Sequence, residues 1–305
     1  MLKEKEMMDL IKKLKKERSV FIIAHYYQRK EVQEIADFVG DSYAMALAAR
    51  EADKDTILVA GVDFMAETAA ILCPDKTILS PEPMATCPMA DSVDVEKIKE
   101  YQAKNPEVML VSYVNTPAAV KALSHVCVTS SNAEKIISKL DGERDIMFIP
   151  DRNLAGFIEE KTGRVMEKYP SCCPVHVKLT AGNIKSLKEA HPDALVLVHP
   201  ECEPEIWREA DYVGSTGGII KYAEISPERK FIIGTEEGIL YPLKKARPDA
   251  EFILAADELI CPNMKSITLE KILYSLENRE TVITVPEEIR GKALKALEMM
   301  IDLSR

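Results

Sequence analysis

The sequence predicts an α/β fold of three homologous units, and three observations carry that prediction. Three Cys-Pro steps, Cys87-Pro88, Cys173-Pro174 and Cys261-Pro262, stand 86 and 88 residues apart. Three apolar, strand-like runs ending in polar residues open the units at Val20–His25, Val108–Tyr113 and Ala194–His199. The features between them keep step: Asp41, Thr129 and Ser215 each follow their strand end by 16 residues. A further strand ends near Gly61, Pro150 and Gly234, at offsets of 36, 37 and 35, and the cysteines follow at 62, 60 and 62. One shared spacing is cheap, but four registers repeated three times mark an internal repeat of about 85 residues. The units are expected at 1–104, with an N-terminal helix; at 105–190; and at 191–305, with an added C-terminal strand and helix. Copies related by a rotation would bring all three sulfurs near one axis.

Taken in order, residues 1–18 read as a Lys-rich amphipathic helix with Met7, Leu10, Ile11 and Leu14 on one face. The stretch lacks the apolar run and small-residue cleavage site of a signal peptide. Within each unit short, nearly all-apolar runs alternate with amphipathic helices, as where Thr56–Ala60 precedes a helix through Met65 and Ile71. That pattern indicates a parallel sheet covered on both faces, so each unit is expected to be an αβα sandwich. Residues 281–305 suggest a strand, Thr281–Val285, then a helix opened by Pro286, packing back on a neighbouring unit.

Composition narrows the function. With 305 residues, 47 % hydrophobic and 30 % charged, the chain can bury a real core. Its net charge of −10 is interspersed, which leaves no basic face for nucleic acid or an anionic membrane. No run approaches the roughly 20 apolar residues of a membrane span. Seven scattered cysteines, an odd number, argue against a secreted disulfide framework and for a reducing cytoplasm where thiols serve metals or chemistry. Small-molecule partners are expected.

Ligands of parallel sheets sit outside the carboxyl ends of the strands. Residues i and i+2 of a strand share a side, which pairs His25 with Tyr27, Tyr113 with Asn115, and His199 with Glu201. Any one pair is an ordinary polar strand end; three pairs in register favour a shared site. Tyr26 should face the other way, into packing. Hydroxyls recur after the second strand, at Ser42, at Ser130 and at Ser215-Thr216. Singly these are N-caps, yet three helix N-termini around one axis would hold a small molecule bearing several anionic groups. Cys73, Cys127 and Cys202 read as buried apolar residues. Cys87, Cys173 and Cys261 are placed equivalently by the repeat, and such a trio can hold zinc or an iron–sulfur cluster.

The motifs Ala24-His25-Tyr26-Tyr27-Gln28, Gly40-Asp41-Ser42, Ala85-Thr86-Cys87-Pro88-Met89, Tyr113-Val114-Asn115, Pro150-Asp151-Arg152-Asn153-Leu154, Cys173-Pro174-Val175-His176, His199-Pro200-Glu201-Cys202, Gly214-Ser215-Thr216-Gly217 and Cys261-Pro262-Asn263-Met264-Lys265 occur in one order. Together they closely resemble the quinolinate synthase family of bacterial and archaeal NAD biosynthesis, over residues 20 to 280. The resemblance implies three αβα domains in pseudo-threefold arrangement around a [4Fe–4S] cluster held by Cys87, Cys173 and Cys261, with one iron left open. It implies condensation of iminoaspartate with dihydroxyacetone phosphate to quinolinate, with loss of phosphate and water. Carried over by position, His25, Ser42, Tyr113, Val114, Asn115, Ser130, His199, Pro200, Glu201, Ser215 and Thr216 would contact substrate. Glu201 with His199 would act as general base, Tyr27 or His25 as proton donor, and His176 as a further active-site group. Transient contact with the enzyme that supplies iminoaspartate is a further implied partnership. Two departures stand out: the third ligand lacks the Cys-x-x-Cys of some members, and Cys172 lies beside Cys173 outside the family pattern. The rival readings are a zinc protein on the same three cysteines, an iron–sulfur hydro-lyase acting on another hydroxy acid, and a non-catalytic iron–sulfur sensor.

Overall fold

The computed structural model describes residues 3–305, and in it the repeat becomes three four-stranded sheets. The first holds β1 (Val20–His25), β2 (Phe38–Gly40), β3 (Thr56–Ala60) and β4 (Thr77–Leu79). The second holds β5 (Met109–Tyr113), β6 (Val126–Val128), β7 (Ile146–Ile149) and β8 (Glu167–Lys168). The third holds β9 (Leu195–Val198), β10 (Tyr212–Val213), β11 (Lys230–Gly234) and β12 (Glu251–Leu254). Every pairing is parallel, and each sheet runs second, first, third, fourth strand. That order puts a topological switch between the first and third strands of each unit, and the crevice at such a switch is where α/β sheets bind ligands.

The local reasons are plain. Every residue of β3, β5 and β7 is buried, as parallel strands covered by helices on both faces require. At one sheet edge, β8 is two exposed charged residues, a form of edge that discourages further strand pairing. Of the expected N-terminal face, Met7 and Ile11 are buried and Leu14 packs beside them in the helix Glu4–Glu17. Positions 1 and 2 lie outside the described residues. Tyr26 does turn away from the strand-end pair, packing against the third-unit core cluster that includes Ile239 and Leu243.

Three seams join the units. Gln33 of the first unit donates its side-chain amide to the carbonyls of Tyr26 and Gln28 and, across the seam, to that of Gly238. Gly238 has no room for a side chain: a Cβ there would lie 2.7 Å from the Tyr26 carbonyl oxygen and from Tyr27 Cα. Glu67 Oε2 of the first unit accepts the Ala118 N–H of the second at 2.8 Å. Asn153 Nδ2 of the second unit donates to the Glu201 carbonyl of the third at 3.1 Å.

The structure corrects the expected C-terminal strand. Residues 281–285 form only an isolated antiparallel bridge, Val282 to Leu79, because the edge strand β4 that they meet is three residues long. Pro286 precedes the last helix, Glu287–Ser304, rather than opening its first turn. That helix packs on β6 and the helix Ala118–Lys121 of the second unit, and Lys135 and Lys139 donate to its final carbonyls. The helix Leu269–Asn278 lies on the N-terminal helix, where Arg18 Nη1 donates to the carbonyls of Leu276 and Glu277. The chain end thus straps the first two units together.

Candidate active site and metal centre

The carboxyl ends of the three sheets converge on one cavity. Its wall includes His25, Tyr27 and Ser42 from the first unit, Tyr113, Asn115 and Ser130 from the second, and His199, Glu201 and Thr216 from the third. Cys87, Cys173, His176 and Cys261 line it as well. Val114, Pro200 and Ser215 do not. The Val114 N–H is spent on the Val128 carbonyl, Pro200 is buried beside the wall, and Ser215 caps the helix Thr216–Ile225 by accepting from Gly218 N.

The hydroxyl positions are not equivalent. Asp41 caps the helix Ser42–Glu51, which puts Ser42 at its first position, and Thr216 opens its own helix in the same way. In the second unit the helix starts only at Ala133, because the Thr129 N–H bonds the Asn132 side chain and Thr129 and Ser131 pair their hydroxyls. Ser130 therefore sits in a turn whose side chains compete with the helix for its backbone.

The cysteines reach the cavity from corners made by their prolines. Cys87 and Cys261 immediately precede the short helices Pro88–Asp91 and Pro262–Lys265, and Cys173 precedes the turn into His176–Lys178. Proline is preorganised for a first helical turn, which fixes where the preceding residue points. Burial pushes the Cys87 thiol up to about 12 and that of Cys173 well above its usual range, and each also feels a neighbour of the trio, Cys261 and Cys87 respectively. Such thiols are inert as free nucleophiles; a bound cation is what would draw off their protons. Cys172 points instead to Arg152, outside the cavity wall. Cys202 is buried and donates to the Gly234 carbonyl, and Cys73 and Cys127 are buried too.

Beside Cys173 a polar network links residues of all three units. His176 Nδ1 lies 3.2 Å from Cys173 Sγ and 2.9 Å from Glu201 Oε2, and its Nε2 meets Thr235 Oγ1 at 2.9 Å. Thr235 continues to the Tyr27 hydroxyl at 2.7 Å, to which Thr216 donates at 3.0 Å. His199 Nε2 is 3.3 Å from Ser130 Oγ, and its ring stacks on His176 at 4.8 Å. Burial alone would push the Glu201 carboxyl up, but His199, His176 and the hydrogen bond from Tyr113 outweigh it and hold Glu201 at about 2. Burial drives the imidazoles of His25 and His199 down to about 3 and keeps the phenols of Tyr27 and Tyr113 protonated far above their ordinary value. At neutral pH the site therefore offers the Glu201 carboxylate beside the neutral rings of His25 and His199 and the phenolic donors Tyr27 and Tyr113. The buried Oδ1 of Asn115 has no partner within the protein, an acceptor left for whatever enters.

A profile of the Quinolinate synthetase A protein family matches residues 9–302. The chain belongs to the quinolinate synthetase A family. It is similar to the quinolinate synthase of Thermodesulfovibrio yellowstonii, at 51 % identity over 95 % of this chain and 96 % of that one. The quinolinate synthase of Methanosarcina barkeri is 45 % identical over 98 % of both chains, and that of Geotalea uraniireducens 48 % over 97 % of both. These relatives are enzymes, as are the members of this family.

Glu236 in the wall and Thr235, fully buried behind it, escaped the sequence reading. Glu236 stands two residues beyond the end of β11, as Asp151 stands two beyond the end of β7, so the two acids share a register. Asp41 lines the cavity as well as capping its helix.

Proposed function

We propose that this chain is a quinolinate synthase that condenses iminoaspartate with dihydroxyacetone phosphate, releasing phosphate and water, in NAD biosynthesis. The observation that carries the reading is the convergence of one proline-set cysteine per unit with a ring of neutral donors on one cavity. Family membership supports the same reaction.

The residues present fit a [4Fe–4S] cluster. Cys87, Cys173 and Cys261 would hold it, one from each unit, and the unpartnered Asn115 acceptor faces the same cavity. A cluster on three thiolates would supply an open iron, a Lewis acid for the loss of water. A single zinc on the same cysteines needs sulfurs roughly 3.8 Å apart at Zn–S bonds of about 2.3 Å. Among the described residues the three thiols form no such close group; the atoms that do lie within 4.8 Å of one another belong to Cys173, His176 and Glu201. Zinc on that second group is the alternative reading, and it would leave Cys87 and Cys261 without a role.

The chain's own groups divide the work. The helix N-termini at Ser42 and Thr216, with the turn at Ser130, would bind carboxylate and phosphate oxygens. Glu201 would take the proton from carbon. An anionic substrate alongside would raise its proton affinity from the low value its neighbours set. Tyr27, still protonated, would donate to the departing oxygen. Supplying anaerobic protein with iminoaspartate and dihydroxyacetone phosphate and assaying quinolinate by mass tests the reading. Product at catalytic turnover is expected, and none from a cluster-loaded protein would contradict it.

A further inference from the structure

The three units also repeat a feature behind the cysteines. Acidic residues follow the third strand of each unit: Asp151 and Glu236 two residues past β7 and β11, and Asp63 three residues past β3. In two units this carboxylate divides its oxygens in the same way. Asp151 Oδ1 accepts the N–H groups of Asn153 and Leu154 at 2.8 Å each, capping the helix Arg152–Thr162, while Oδ2 accepts the Cys173 N–H at 3.1 Å. Glu236 Oε2 accepts the Gly238 N–H at 2.7 Å, while Oε1 accepts the Cys261 N–H at 3.0 Å. Both side chains are fully buried.

The third unit adds a link across the seam. Lys265, on the short helix after Cys261, lies 2.9 Å from Glu236 Oε1 and donates to the Tyr27 carbonyl at 2.7 Å. The first unit lacks the brace. Val62 stands at the cap position with no side-chain bond, Asp63 has moved one residue into the helix Asp63–Leu72, and its buried Oδ1 has no partner. Among the described residues no side chain bonds the Cys87 N–H.

We infer that Asp151 and Glu236 are positioning residues for the metal centre, each fixing the backbone of one cysteine ligand, and that Cys87 is held without such a brace. The inference rests on the cluster reading given above. A hydrogen bond to the ligand's own N–H fixes the corner from which its sulfur projects, so the thiol reaches the cavity already aimed. Loss of partners that orient a metal's ligands costs about 10–100-fold in metal binding.

Asp151→Asn and Glu236→Gln test it with little change of shape. Each amide keeps one oxygen for the cap and turns an NH₂ toward the cysteine N–H. Asp151 has no lysine partner, so its variant remains informative if Glu236→Gln disturbs Lys265. Asp63→Asn is the control. Two quantities are read: iron loss to a chelator from the anaerobically loaded proteins, and amide hydrogen exchange of the cysteines in the metal-free proteins. The expected result is iron loss about 10–100-fold faster in the two variants, with Asp63→Asn like the parent. In the metal-free parent the Cys173 and Cys261 amides should be protected and that of Cys87 not, and each variant should release its own cysteine. Parental iron retention in both variants, or equal exchange of all three amides in the parent, overturns the inference. A parent that takes up no iron overturns the cluster reading, and the inference falls with it.

Discussion

At the scale of single residues, Glu201 is the centre of the proposed chemistry. It is a buried carboxylate held ionised by neighbours that donate to it, and its Oε2 is 2.9 Å from His176. Glu201→Gln preserves its size and one acceptor oxygen but removes the proposed base. The variant should load iron as the parent does and lose turnover by at least about 100-fold, the usual scale of general acid–base catalysis. Iron content and rate measured on one preparation check this, and near-normal turnover would refute the assignment. His25 and His199 set the response to acid. Both are neutral when folded, with their pKa lowered from 6.5 to about 3, whereas unfolded histidines bind protons below about 6.5. The unfolded state thus gains protons that the folded state refuses, so stability is lost as pH falls from about 6.5 toward 3. Glu201, held at about 2, adds to the loss below about 4.3, the unfolded carboxyl value. The slope per histidine is at most about 1.4 kcal/mol per pH unit. Asp63, raised to about 6, and Asp151 and Glu236, raised by burial, bind protons first in the folded state and oppose this loss, so the rings are read directly: NMR of the two imidazoles in the metal-free protein should show both neutral from pH 7 to 5, and a ring that charges in that window would contradict the burial.

Among the elements, the Cys-Pro corner does the placing. Cys172 and Cys173 are neighbours in sequence, yet only Cys173 faces the cavity while Cys172 turns to Arg152. Cys87→Ala and Cys173→Ala should therefore each lose the brown colour and most of the iron, and Cys172→Ala should keep both. An iron-replete Cys87→Ala protein, read by absorption and iron assay, would sink the assignment of the trio. The elements also show what could be read in advance. The apolar runs of β1, β3, β5 and β9 and the repeated offsets were enough for parallel sheets, because strands buried on both faces leave an unbroken hydrophobic signature. The start of the helix at Ala133 and the failure of residues 281–285 to form a strand were not legible. Both depend on competition, of side chains for backbone at Asn132 and of a short edge for partners at β4, which residue types alone do not resolve. Glu236 was hidden for a different reason: a buried acid paired with Lys265 looks in sequence like any surface charge in Glu236-Glu237.

For the molecule as a whole, three copies of one sheet order placed around a point turn weak local signals into a site. No single unit holds it: each contributes one cysteine and one strand-end pair. The last two helices tie the first and second units from outside, and among the described residues no helix is long and apolar enough to cross a membrane. The central claim is that the three converging thiols hold one iron–sulfur cluster, and its most direct test is a count of iron and acid-labile sulfide in anaerobically purified protein. Close to four of each per chain is the predicted result for a single cubane cluster. One zinc per chain, or iron without sulfide, would contradict it.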